Sequence, residues 1–167
     1  MIRRNLSKLR MGLFKRGSRY SYQRTLYLPG KEHFKQILKT TKHKGKVTSG
    51  LIEVRPKTKG KLGNQISVLS FQVIGKNTTE KRNFMKDGSL FIGGVDSYLK
   101  NKGLLSQMLA ELEHFAKTEI GSRDIYLEVR QDNENAIKRY KHLGFKFTKH
   151  EFGNSTFKLM RKTISST

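Results

Sequence analysis

A chain of 167 residues, 35% hydrophobic and 10% aromatic, is long enough for one domain with a sizeable core. Its 35 Lys and Arg against 13 Asp and Glu give a net charge of +22, a field that draws polyanions. The absence of cysteine excludes disulfide scaffolds, Cys-ligated zinc, iron–sulfur clusters and thiol nucleophiles. No apolar run reaches the roughly 18 residues of a membrane span, and no secretory signal opens the sequence.

The first 24 residues hold eight basic side chains and no acid. Ile2, Leu6, Leu9 and Leu13 recur at a loosely helical spacing. Residues 1–20 are expected to form a basic arm, and 21–167 the folded domain. Three roles fit the arm: a solvated tail, a polyanion-binding segment, or an organelle-targeting leader. Residues 1–62 carry 18 basic and 2 acidic side chains, so most of the charge lies in the first third.

Tyr22–Leu28 reads as a strand ending at Pro29-Gly30. Glu32–Thr41 reads as a helix, with Phe34, Ile37 and Leu38 on one face. Strands are expected at Lys46–Arg55 and Gln65–Ile74, separated by a Lys- and Gly-rich loop, and again at Ser89–Val95. Lys102–Thr118 is the best helix, its Leu104, Leu105, Met108, Leu109, Leu112 and Phe115 following the 3.6-residue period. Asp124–Arg130 reads as a strand and Asn133–Leu143 as a helix. Phe145–Glu151 and Ser155–Arg161 close the chain as strands. The order β-α-β-β-β-α-β-α-β-β describes a mixed α/β sheet.

Two segments in the second half carry chemistry. Val95 to Ser106 reads as a strand end, a basic turn containing Gly103, and a helix start. Unpaired N–H groups and the positive end of the dipole make such a helix start a place to hold phosphate. Leu127 to Phe145 reads as a strand, a tight turn, an N-cap near Asn133 and a helix ended by Gly144. Ala136 and Tyr140, four apart, share one face of that helix.

The spacing L-x-V-x-x-x-N-x-x-A-I-x-x-Y-x-x-x-G-F, following the Lys-Asn-Lys-Gly turn, resembles the GNAT superfamily of acyl-CoA-dependent N-acyltransferases. It is closest in motif to the ribosomal-protein-alanine acetyltransferases. The resemblance covers Ile92–Phe145. It implies a mixed, mostly antiparallel sheet flanked by helices, with a V-shaped splay between the fourth and fifth strands. It also implies acetyl-CoA as cosubstrate, with no metal, and an amine on a protein or small molecule as acceptor.

By that resemblance the CoA pyrophosphate turn maps to Lys100, Asn101, Lys102, Gly103, Leu104 and Leu105. Val95 would line the splay, Asn133 and Ala136 the pantetheine arm. Lys100 stands where the family uses Arg or Gln, which loses a planar fork. Leu105 stands where it uses Gly or Ala; this leucine either turns into the core or crowds the phosphates. Tyr140 falls on the tyrosine that protonates the departing thiolate, and Glu128 on a general base. N–H groups of the Ser89–Val95 strand would polarise the thioester carbonyl.

The five histidines show no metal-ligand spacing, and no P-loop occurs. An alternative function is a catalytically weak GNAT-fold module. It would bind RNA, DNA or the ribosome through the basic residues 1–62, including the Lys-rich stretches Lys42–Lys46 and Lys57–Lys61. The expected location is the cytoplasm, or an organelle matrix if residues 1–20 act as a leader.

Overall fold

The computed structural model describes residues 22–26, 34–76, 78, 83–97, 103–149 and 156–164. Two Lys-Gly dipeptides shape its first part. Lys44 and Gly45 take φ of 48° and 77°, and Lys59 and Gly60 take 48° and 79°. Paired positive φ values make the two-residue turns whose twist matches that of the flanking strands. The first turn joins Phe34–His43 (β2) to Lys46–Thr58 (β3), and the second joins β3 to Lys61–Leu62 (β4). Tyr22–Leu26 (β1) pairs antiparallel with β2 on its other edge.

The helix expected at Glu32–Thr41 is therefore a strand, β2, over its described residues. The apolar positions 34, 37 and 38 fit a helical period, but β2 is buried on both faces. Gln36, Leu38 and Thr40 are buried on one side and Ile37 on the other. Ten register pairs with β3 and the Lys44-Gly45 turn outweigh the local pattern. The Lys-rich loop expected after Arg55 is likewise largely strand, since β3 runs on to Thr58 and folds back as β4.

The contacts divide the chain into two compact units: residues to Phe71 with Gly94–Leu112, and Gln72–Gly93 with Glu113–Thr167. In the first, the strand order is β1-β2-β3, then Ser67–Val73 (β5), then the end of Leu90–Ser97 (β6). Its buried apolar side chains include Leu38, Ile52, Val54, Leu69 and Phe71 on the strands. Leu104, Met108, Leu109 and Leu112 are buried on the helix Leu104–Phe115 (α1). Glu53 is buried at 2% exposure, and Lys39 Nζ at 2.7 Å and Arg55 Nε at 2.9 Å neutralise its carboxylate.

In the second unit the order is β5-β6, then Asp124–Arg130 (β7), Phe157–Thr163 (β9) and Lys146–Phe147 (β8). Ile74, Met85, Phe91, Tyr126 and Leu159 form its core cluster, with Phe84 packed against it. The sheet is mixed and mostly antiparallel: β6 and β7 are parallel, whereas β7 and β8 each pair antiparallel with β9. β6 and β7 are the strands expected to splay; β2 and β4 shift their place in the count. The helix expected to reach Thr118 instead passes after Phe115 into one π-helical turn, Ala116–Ile120. Gly121, at φ 73°, ends it, and the Ser122 N–H donates to the Ala116 carbonyl at 2.8 Å. The helix expected at Asn133–Leu143 is Glu134–His142 (α2).

Candidate active site

The register of β7 opens the site. Parallel pairing joins Leu90, Ile92 and the residue between them to Ile125, Tyr126 and Leu127, and stops there. From Glu128 to Arg130, β7 is paired along its β9 edge; among the described residues no strand is registered on its other edge there. Leu127 and Val129 are buried at 2% and 5%, while Glu128 between them is exposed. Strand alternation places its carboxylate on the opposite sheet face from theirs. That face also bears Tyr126 and Asp124.

The turn after β7 is braced. Arg130 donates from Nε and Nη2 to the two Asp132 carboxylate oxygens, at 3.0 and 2.6 Å. This fork holds the Asp132 carboxyl below its usual range and raises the guanidinium of Arg130. The Asn133 N–H donates to the Arg130 carbonyl at 3.0 Å. Asn133 then caps α2, its Oδ1 accepting from the Ala136 N–H at 3.1 Å.

At the other end, α2 closes on itself around Tyr140. The Phe145 N–H donates to the Tyr140 carbonyl and the Gly144 N–H to the Lys141 carbonyl, both at 3.0 Å, with Gly144 at φ 92°. This is the Schellman arrangement, which only a residue at ease with positive φ completes. The rings of Tyr140 and Phe145 meet edge-on, centroids 5.9 Å apart. Tyr140 is half-buried, and desolvation pushes its phenol above the ordinary value despite the opposing charge of Arg139. The hydroxyl is thus a proton donor throughout the neutral range.

The helix start lies in the first unit. Gly103 takes φ 66°, and its carbonyl accepts the first helical hydrogen bond, from the Gln107 N–H at 3.2 Å. Glycine here offers no side-chain oxygen to the first-turn amides, and that turn contains no acidic residue. Such first-turn amides, with the positive end of the helix dipole, are groups an anion would meet. Leu104 is buried at 2% and turns inward, whereas Leu105 is only half-buried. Upstream, Val95 is half-buried in β6. The Asp96 carbonyl accepts from Ser67 Oγ at 3.0 Å, which fixes the strand end beside β5.

Residues 81–145 match the acetyltransferase (GNAT) family model. The chain has that match over β6, α1, β7 and α2. Its fold is shared with NAA60 of Arabidopsis thaliana in complex with a bisubstrate analogue. Identity there is 14% and the TM-score 0.56, over 71% of this chain and 77% of that one. The ribosomal-protein-S18-alanine N-acetyltransferase of Escherichia coli matches at 18% identity and a TM-score of 0.50, over 72% of each chain. The PaiA N-acetyltransferase of Thermoplasma acidophilum, in complex with coenzyme A, matches at 16% identity and 0.50, over 68% of this chain and 60% of that one. No curated protein matches the sequence significantly.

Glu128, Asn133, Ala136 and Tyr140 stand in the second compact unit, and Val95, Gly103, Leu104 and Leu105 in the first. Asn133 and Ala136 are joined directly by the cap. Lys100, Asn101 and Lys102 lie outside the described residues, as does the basic arm 1–20. Among the described residues no group of three acidic or histidine side chains could hold a metal ion. No helix among them is long and apolar enough to cross a membrane. The Arg130–Asp132 brace escaped the sequence reading, although two opposite charges flanking one turn residue signal it. The role of Phe145 in holding Tyr140 was also missed; the Gly-Phe ending of the motif is its signature.

Proposed function

We propose that this chain transfers the acetyl group of acetyl-CoA to a primary amine by direct attack. The observation that carries the reading is Tyr140, a half-buried phenol kept protonated and locked by the cap of α2. The amine nitrogen bonds to the thioester carbonyl carbon while Glu128, or a water it holds, takes the amine proton. The carbon–sulfur bond then breaks, and the Tyr140 hydroxyl gives its proton to the departing thiolate. Such acid–base assistance contributes about 10²–10⁴-fold in rate.

The β7 edge beyond Leu127, where the registered parallel pairing with β6 ends, suits the amide-bearing pantetheine arm, which can hydrogen-bond there as a strand would. Asn133 and Ala136 stand at the start of α2 to flank it. The amides after Gly103, with Lys100, Asn101 and Lys102, suit the pyrophosphate. N–H groups of β6 would polarise the carbonyl.

Calorimetric titration with acetyl-CoA at raised salt, with excess ATP present, tests the cosubstrate. One-to-one binding that survives both is expected; its absence overturns the reading. A second reading rests on the net charge of +22. On that reading the scaffold binds a polyanion through residues 1–62, with transfer weak. Deleting residues 1–20, which leaves β1 whole, separates the two: acetylation of a small amine survives on the first reading, and polyanion binding falls on the second.

A further inference from the structure

On the reading of Tyr140 as proton donor, we infer that Lys162 is a positioning residue for it. Lys162 holds the cap of α2 from β9 while paired with Glu113 on α1. The contact is Gly144, which stands at φ 92°. A Cβ on this glycine would lie 3.3 Å from Lys162 Cε, 3.6 Å from Nζ and 3.8 Å from Cδ. The lysine stem thus lies over the turn where a side chain of residue 144 would project. Gly144 itself sits between the two hydrogen bonds of the cap. Its own N–H donates to the Lys141 carbonyl, and the next N–H, of Phe145, donates to the Tyr140 carbonyl. Movement of this one residue strains both bonds and carries the Phe145 ring with it.

Two restraints hold the stem there. Backbone pairing sets Lys162 opposite Ile125, which is fully buried in β7, so its Cα is fixed by a strand inside the sheet. Its ammonium lies 2.5 Å from Glu113 Oε1, and the two side chains are only 21% and 25% exposed. A lysine stem has much rotamer freedom, and on an open surface an ion pair seldom fixes it. Here both ends are tied, and the stem between them rests on the glycine. The residue that the cap needs for its positive φ also makes the room for the stem. The route from Lys162 to the phenol therefore runs through Gly144 and Phe145, all within one compact unit.

A double-mutant cycle on the full chain tests the assignment, read by single-turnover acetyl transfer to a small amine and by acetyl-CoA titration. Lys162→Ala is expected to lower turnover several-fold, with acetyl-CoA affinity and the acceptor KM little changed. Lys162→Met keeps a stem of similar length without the charge, and Glu113→Gln leaves the stem and frees the ammonium; both should lose less. With Tyr140→Phe already in place, Lys162→Ala should change turnover no further, because a displaced ring has no proton to deliver. The same factor of loss in both backgrounds, or none in either, would overturn the positioning role and leave the lysine a stabilising one. The nuclear magnetic resonance signal of Tyr140 Cζ, assigned by its disappearance in Tyr140→Phe, reads the ring without any activity. It is expected to shift in Lys162→Met and Glu113→Gln as well as in Lys162→Ala, and an unmoved signal overturns the coupling. A moved signal beside a Tyr140→Phe variant of full turnover sustains the coupling and removes instead the reading of Tyr140 as donor.

Discussion

Tyr140 and Phe145 hold each other twice, through the hydrogen bond from the Phe145 N–H to the Tyr140 carbonyl and through edge-on rings at 5.9 Å. The cap that ends α2 therefore also fixes the phenol assigned to proton delivery. Phe145 is 1% exposed, so the clamp is anchored in the core of its unit.

Phe145→Ala is expected to cost about 3–5 kcal/mol, the usual range for truncating a buried phenylalanine. Turnover should fall further than the loss of folded protein accounts for, because Tyr140 loses the ring that orients it. Denaturant unfolding together with single-turnover acetyl transfer separates the two effects. Turnover that simply tracks the folded fraction would sink the clamp.

Tyr140→Phe keeps the ring contact and removes only the hydroxyl. Acetyl-CoA affinity should hold while turnover drops about 10²–10⁴-fold. Burial raises the phenol above 10.0, and a donor acts only while protonated. The alkaline loss of the wild-type rate from Tyr140 should therefore set in at higher pH than for a solvent-exposed phenol. Equal loss of affinity and rate in the variant would show that the hydroxyl binds rather than donates.

The Arg130–Asp132 fork lowers the folded-state pKa of Asp132 below its unfolded value of 3.8. Its stabilisation is thus present above that value and is lost as pH falls through the lower folded one. Both groups are fully exposed, so the effect is small and screened by salt. Thermal unfolding of the wild type should exceed that of Asp132→Asn at neutral pH and low salt, and converge with it in strong acid. A gap that persists in acid would show a role other than charge.

The strands and helices from Ser89 to Leu143 were legible because burial and local pattern agree there. Asp124–Arg130 alternates, α1 keeps one apolar stripe, and the Asn133 and Gly144 caps are written in residue type. β2 was not legible because it is buried on both faces, which erases the period-2 signal and leaves a spacing that mimics a helix. The Lys-Gly turns were the available clue, masked by their lysine-rich surroundings. Of the candidate site, the roles at Tyr140, Glu128 and Asn133 came through the motif. The clamp of Phe145 and the brace of Arg130 depend on how the chain turns back, which periodicity does not record.

Gly50 shows the same limit in the first unit. A Cβ there would lie 2.6 Å from the Lys39 carbonyl oxygen and 2.5 Å from the Phe71 ring, closer than real contacts allow. Gly50→Ala is expected to force β2 and β3 apart or displace the buried Phe71, at about 1–3 kcal/mol. Chemical denaturation checks this, and an unchanged midpoint would show that the ring moves freely.

Leu105 is the departure that bears most on the cosubstrate. It is half-buried at the second position of α1, where the family the motif resembles has Gly or Ala. Alanine is the better helix former, so Leu105→Ala should leave α1 intact. A half-buried leucine should cost less than the roughly 2–5 kcal/mol of a fully buried one. With the side chain gone, the amides after Gly103 are less crowded, and acetyl-CoA should bind several-fold more tightly at raised salt. Calorimetry of both proteins reads the difference directly. Equal affinities would mean that the Leu105 side chain packs along α1, clear of the phosphates, and that the leucine is compatible with the full affinity of the turn.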